Sequence, residues 1–218
     1  MMKRKTIQKV AADIRRRFER ESTGHDWHHI ERVWKMAKKI AAAEKGADNF
    51  IVELGALLHD IADWKFHKGD LSAGPRAARK ILSSLDVERT AVNRVCDIVE
   101  RISFKGERVK DKPLTLEGKI IQDADRLDAI GALGVARAFA YGGSLGRQLY
   151  DPAIKPVLHL TFHHYRKNQG TTINHFYEKL LLLKDRMNTK SGKRLAAARH
   201  KFLKLYLKEF LTEWVGRK

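Results

Sequence analysis

An all-α fold is what this 218-residue sequence predicts, and three observations predict it. Apolar residues recur at steps of three and four along almost every segment, the spacing of one face of a helix. Sustained alternation of apolar and polar residues, which marks a half-buried strand, occurs nowhere. Capping residues and glycines punctuate the segments at helical lengths, as with Asp48 before Phe50 and Gly46 after Ala43. The length suits one domain on the usual scale of roughly 100–200 residues. Residues 1–218 are therefore expected to form a single helical domain, with its core over about 22–140 and C-terminal helices over about 155–215 packing on it or extending it.

Taken in order, Ile7, Val10, Ala11, Ile14 and Phe18 mark an amphipathic first helix whose other face carries Arg15, Arg16, Arg17 and Arg20. The next helix grows out of the stretch Gly24–Val33, runs to about Ala43 and is stopped by Gly46. Helical phase sorts its histidines. His29 lines up with Val33, Met36 and Ile40 and points inward, whereas His28 lines up with Arg32, Lys35 and Lys39 and faces water. His25 precedes the helix, within reach of the same cavity or packed against Trp27. A third helix is read from Phe50, Ile51, Leu54, Leu57, Leu58 and Ile61, with Asp48 as its cap and His59–Asp60 on its last turn. Asp63 lies one turn beyond His59, on the same side if the helix continues.

Gly69 and Gly74–Pro75 then allow a helix through Ala77, Ala78, Ile81, Leu82 and Leu85, and another follows through Val92, Val95, Cys96, Val99 and Ile102. The loop Phe104–Pro113 is basic and contains Lys105. Next comes an apolar helix around Ile120–Ile130 that carries Asp123, Asp125 and Asp128. Phase does not decide among these three: Asp123 aligns with Ile120, Leu127 and Ile130, and Asp125 with Ile121, Asp128 and Ala132. Gly131 and Gly134 would admit a neighbouring backbone, and Gly142–Gly143 would end the helix. Ser144–Pro156 reads as an irregular loop, of a length at which loops are often functional. A helix through His159 and a turn at Gly170 come next. Thr172 is then the expected cap of a helix using Ile173, Phe176, Tyr177, Leu180 and Leu181, and the last helix spans about Leu195 to Trp214.

Composition narrows the function classes. Apolar residues make up 43% of the chain, and no apolar run approaches the ~20 residues of a membrane span. The N-terminal twenty residues intersperse Lys and Arg with a helical pattern, unlike a signal peptide, so a cytoplasmic protein away from membranes is expected. A single cysteine, Cys96, excludes an internal disulfide framework and a cysteine-cluster zinc site. Any metal must be held by His, Asp and Glu. The net charge of +18, from 44 Lys and Arg against 26 Asp and Glu, attracts polyanions such as nucleic acid or a multiply charged substrate, or else is a plain solvated basic surface.

His59–Asp60 closes an apolar run, and a buried ionised carboxylate costs several kcal/mol unless it is paired or coordinated. With His29 and one aspartate of the 123–128 cluster, two imidazoles and two carboxylates from three helices form a mixed nitrogen and oxygen donor set. It suits one divalent ion, Mn, Fe, Ni, Co, Mg or Zn, and leaves positions for water, as a catalytic centre does.

The order His29, then His59–Asp60, then Asp125 resembles the H…HD…D signature of the HD-domain metal-dependent phosphohydrolase superfamily, Asp125 being matched through Ala124-Asp125-Arg126-Leu127. The likeness continues through Gly24–Trp27 with His29–Val33, through Gln122–Gly134 and through Thr171–Leu180, and it is similar to the small bacterial YpgQ/YedJ-like HD hydrolases. The resemblance implies a helical fold, a divalent metal on His29, His59, Asp60 and Asp125, and hydrolysis of phosphoesters or phosphoanhydrides. For the subgroup it implies splitting a nucleoside triphosphate into monophosphate and pyrophosphate. Asp63 matches the acidic position with which some HD hydrolases orient or deprotonate the attacking water. Asp128 is expected to orient a ligand histidine or a water, and Lys65, Lys105, Lys179 and His25 to meet the substrate's phosphates. A second metal through Asp63 or His25 is left open, as is a homodimer. The alternatives are a phosphodiesterase or phosphomonoesterase acting on another nucleotide or phosphorylated metabolite, and a basic nucleic-acid-binding module with a structural metal.

Overall fold

The computed structural model describes residues 2–19, 26–61, 70, 72–102, 113–158 and 170–217. His25, Asp63, Lys65, Lys105, most of the basic loop and the helix through His159 lie outside the described residues. Among the described residues every regular element is helical: nine α-helices and one 3-10 turn. None of these helices is long and apolar enough to cross a membrane. The chain divides into two compact units at the Ala124–Asp125 peptide bond, in the middle of one continuous helix.

The first unit is organised around its third helix. Helix α1 (Met2–Phe18) buries Ile7, Val10 and Ile14 and leaves its arginines outside. Helix α2 (Trp27–Ala43) starts at Asp26, whose carboxylate accepts the His29 N–H at 2.8 Å, and buries His29, Ile30, Val33, Ala37 and Ile40. Helix α3 (Asn49–Leu58) is capped by Asp48, which accepts the Phe50 N–H at 3.0 Å. Ile51, Val52 and the whole run from Leu54 to Leu58 are buried, so α3 is apolar almost all round and is enclosed by its neighbours. Helix α4 (Ala73–Ser83) starts before the glycine–proline pair rather than after it, because Pro75 falls in the first turn, where no intrahelical N–H is required. It pairs with α5 (Arg89–Arg101). Helix α6 (Leu116–Asp128) presents Ile120, Ile121 and Ala124 to the core, and the Gln122 amide donates to the Ile102 carbonyl at 3.1 Å.

In the second unit the expectation of one helix ending at Gly142–Gly143 is corrected. The chain breaks at Ala129–Ile130, and α7 (Gly131–Ser144) starts afresh with Gly131 at φ +80°. Gly134 sits so close to the end of α6 that a Cβ there would lie 2.3 Å from the Ala129 carbonyl oxygen. Gly142 and Gly143 fall inside the last turn of α7. The irregular stretch that follows is tied by its backbone to α8 (Thr172–Glu178). Thr172 N donates to Gln148 O and Ile173 N to Leu149 O, each at 3.0 Å, and Asn174 Nδ2 reaches Ile154 O at 3.0 Å. The buried Glu178 carboxylate accepts the Val157 N–H at 3.0 Å. The cap of α8 is Thr171, not Thr172: its hydroxyl accepts the Asn174 N–H at 3.2 Å, which makes Thr172 the first helical residue. Leu180 and Leu181 belong to a separate 3-10 turn, Leu180–Arg186. The last helix, α9 (Lys190–Trp214), begins five residues before the expected Leu195 because Thr189 caps it, accepting the Gly192 N–H at 2.9 Å. Phe176 stacks on Tyr206 and leans against Phe139 in this unit's core.

Candidate metal centre

The centre is built at the start of α2 and at the C-terminal ends of α3 and α6. Capping by Asp26 fixes where α2 begins and so brings His29 inward; its side chain is completely buried. His28, one residue away, keeps 73% of its side chain in solvent and only approaches Glu31, at 4.0 Å. Helical phase alone separates these two histidines. His59 directly follows α3 with its backbone still helical, at φ −57° and ψ −35°. Its Nδ1 lies 2.8 Å from the Ala56 carbonyl oxygen. A carbonyl can only accept, so Nδ1 carries the hydrogen, and the neutral ring is left with its lone pair on Nε2.

That lone pair faces the site. His59 Nε2 is 3.2 Å from His29 Nε2, and the two rings meet edge to face with centroids 5.2 Å apart. Asp60 Oδ2 stands 3.3 Å from His29 Nε2 and 3.5 Å from His59 Nε2. Helix α6 carries Asp125 to the same place: one ligand atom each from His29, His59 and Asp125 lie within 4.8 Å of one another. Both imidazoles are buried, while Asp60 and Asp125 are half-buried, so solvent meets the centre on its carboxylate side.

The spacing fits a divalent cation. Nitrogen and oxygen donors about 2.0–2.2 Å from a metal are about 2.8–3.1 Å apart at a right angle and about 3.3–3.6 Å apart at the tetrahedral angle. The observed edges of 3.2, 3.3 and 3.5 Å fall in that range. His29, His59 and Asp125 form a cluster able to hold a metal ion, with the Asp60 carboxylate beside the two imidazoles. A sulfur-free nitrogen and oxygen set of this kind suits Mn, Fe, Ni, Co, Mg or Zn and leaves coordination positions for water.

The three aspartates left open by phase have three different surroundings. Asp123 is fully buried, Asp125 faces the centre, and Asp128 is buried with its Oδ2 accepting from Arg137 Nη1 at 3.0 Å. The last turn of α6 is further pinned by Arg126, which donates to the Arg186 carbonyl, and by Arg199, which donates to the Leu127 carbonyl. Lys179 is half-buried in the second unit, at the junction of α8 and the 3-10 turn. Sequence reading missed Asp26 as the cap that sets His29, although an aspartate immediately before a helical run is a recognisable start signal. It also missed Arg137, nine residues from Asp128, because the break between α6 and α7 had been read as continuous helix.

A helical protein with a histidine, a His-Asp pair and an aspartate converging in this order is of the HD-domain class. The HD domain family model matches residues 26–130, a range that includes His29, His59, Asp60 and Asp125. The chain belongs to the HD-domain family, and with it to the HD-superfamily hydrolases, a class of metal-dependent phosphohydrolases. Among particular relatives, it is 38% identical over 204 residues to the uncharacterized protein YpgQ of Bacillus subtilis (strain 168), covering 90% of this chain and 87% of that one. The crystal structure of Bacillus subtilis YpgQ in complex with ADP superposes with a TM-score of 0.76 at 33% identity, over 98% of this chain and 97% of that one. An HD-superfamily hydrolase from Bacillus thuringiensis gives a TM-score of 0.73 at 39% identity, over 97% and 98% of the two chains.

Proposed function

We propose that this chain hydrolyses nucleoside triphosphates to the monophosphate and pyrophosphate, using one divalent cation held by His29, His59, Asp60 and Asp125. The observation that carries the reading is the donor set itself: two buried imidazole nitrogens 3.2 Å apart with carboxylates on the solvent side. The nucleotide half of the reading is supported by the relative YpgQ, whose crystal structure is a complex with ADP. A cation bound there supplies the charge that acidifies a water toward neutral pH and polarises a phosphoryl oxygen.

The chain's own groups do the rest. His59 is held as a fixed tautomer by the Ala56 carbonyl, so its lone pair costs no rearrangement when a ligand arrives. Asp63 is assigned to orient the attacking water and take its proton. The water oxygen bonds to the α-phosphorus as the bond from that phosphorus to the bridging oxygen breaks, and pyrophosphate leaves. Lys65, Lys105, Lys179 and His25 are assigned to offset charge on the phosphates. Asp128, itself held by Arg137, is assigned as a positioning residue at the end of α6.

The test is a product assay. Chelator-stripped protein is resupplied with Mn, Ni, Co, Mg or Zn and given a panel of ribo- and deoxyribonucleoside triphosphates, with phosphate and pyrophosphate separated. Metal-dependent monophosphate plus pyrophosphate, absent in Asp125→Ala, is the expected result. Orthophosphate as the sole inorganic product would move the chemistry from the α-phosphorus to the terminal phosphate, and silence with every metal would overturn the reading.

A further inference from the structure

Two of the donor-bearing helices, α3 and α6, meet at two successive heights before His59 and Asp125. At their starts, Glu117 Oε1 accepts the backbone N–H of Asp48 at 3.1 Å, and the Arg94 guanidinium spans both residues, 3.0 Å to Asp48 Oδ2 and 3.1 Å to Glu117 Oε1. Asp48 is itself the cap of α3, so this cluster ties the N-cap of one helix to the first turn of the other. At mid-height Gly55 faces Ile121, where a Cβ on residue 55 would lie 2.5 Å from Ile121 Cδ1. At the far ends stand His59 and Asp125. The two contacts and the His59–Asp125 pair advance in the same direction along both helices, so the helices are parallel. His59 follows the tenth residue of α3 and Asp125 is the tenth residue of α6. Counted from the Gly55–Ile121 contact, His59 and Asp125 are each four residues further on, about 6 Å along the axis, so the two ligands stand at matched heights. A slip of one residue would move a donor by about 1.5 Å along the axis and turn it by about 100°.

Gly55 is informative because glycine in a helix interior is unfavourable relative to alanine, so its presence in the buried α3 calls for a packing reason. The reason is specific. After Ile121 Cδ1, the next atoms a Cβ would meet are Ile98 Cγ2 at 3.8 Å and Ile121 Cγ1 at 3.9 Å, both ordinary contacts. One methyl group is the whole obstacle.

We infer that Glu117, Arg94, Gly55 and Ile121 are positioning residues that set the height and spacing of α3 against α6, and so decide how tightly the divalent cation is held between His59 and Asp125. The inference rests on the metal reading of the centre and adds to it the part of the fold that tunes it. Its test is calorimetric titration of the chelator-stripped full chain with Mn²⁺ and with Zn²⁺, alongside metal-free melting curves. Gly55→Ala is expected to weaken binding about tenfold or more, the scale on which supporting groups act on a metal site. Adding Ile121→Val, which deletes the obstructing methyl, is expected to restore it to within about threefold of wild type. Glu117→Gln keeps the shape but loses the charge that holds Arg94, and is expected to weaken binding about threefold or more.

A purely structural role would lower the metal-free melting point without this pattern of loss and rescue. Wild-type affinity in Gly55→Ala, or a double variant no better than the single one, would overturn the inference. If Gly55→Ala does not fold, Glu117→Gln decides, and an unchanged dissociation constant there overturns it. A wild-type protein that takes up neither metal would overturn the metal reading as well, which separates the two failures.

Discussion

His29 offers the sharpest quantitative test, because its neighbour provides the control. Replacing His29 by alanine removes a donor that is completely buried and lies 3.2 Å from His59 Nε2 and 3.3 Å from Asp60 Oδ2. Groups that merely support metal ligands are worth about 10–100-fold in affinity, so loss of a ligand is taken as about 100-fold. At a free metal concentration about 100 times the wild-type dissociation constant, binding stabilises the folded state by about 2.7 kcal/mol. The same concentration only equals the dissociation constant of the variant, where stabilisation falls to about 0.4 kcal/mol. At about 2–4 °C per kcal/mol for a chain of this size, the metal-induced rise in melting temperature drops from about 5–11 °C to about 1–2 °C. The cavity left by the imidazole lowers the curves with and without metal alike and cancels in the difference. The assay is a pair of melting curves for each protein, with metal content checked by elemental analysis. His28→Ala should keep the full rise, since that side chain is 73% exposed. A full rise in His29→Ala, or a lost rise in His28→Ala, would refute the assignment.

Two further outcomes follow from packing and charge. Gly134→Ala places a Cβ 2.3 Å from the Ala129 carbonyl oxygen. It should cost roughly 1–3 kcal/mol in urea titration by forcing the backbone apart, whereas a gain would show that helix propensity outweighs that contact. Burial pushes the Glu117 carboxyl up, but the Asp48 N–H, its own N–H, Thr115 and the Arg94 guanidinium together outweigh burial and hold it below its ordinary value of 4.5. A carboxylate depressed in the folded state contributes stability that is complete above its unfolded pKa and fades as pH falls below it. The stability gap between wild type and Glu117→Gln should therefore be full at pH 6 and shrink from about pH 4.5 toward pH 3. A gap that stays constant over that range would contradict the pairing.

The helices and the inward histidine were legible because they depend on local periodicity. His29 falls in phase with Val33 and Ile40, both buried, and the Asp48 cap needs only residues two apart. What depends on contacts between distant residues was not. The start of α7 turns on one left-handed glycine, Gly131, which looks like Gly134 or Gly142 in a sequence. The cap of α8 falls on Thr171 rather than Thr172, two equal hydroxyls distinguished by where Gln148 and Leu149 dock. Choosing Asp125 over Asp123 and Asp128 was possible by resemblance but not by phase, since Asp123 and Asp128 are buried more deeply than Asp125. The Arg94–Asp48–Glu117 cluster joins residues up to 69 positions apart and carried no sequence signal that drew attention to it.

The hydrogen bond from His59 Nδ1 ends on a main-chain carbonyl, that of Ala56. Its acceptor belongs to the backbone and not to any side chain, so no change of residue type at position 56 deletes it as long as the helix forms. Mutation can remove the imidazole, or distort α3, but cannot strip the ring of its orienting partner while leaving the rest intact. A centre supported by a carboxylate would drift by single-codon steps toward a weaker or differently tuned ligand. At His59 that route is closed, because the partner is main chain.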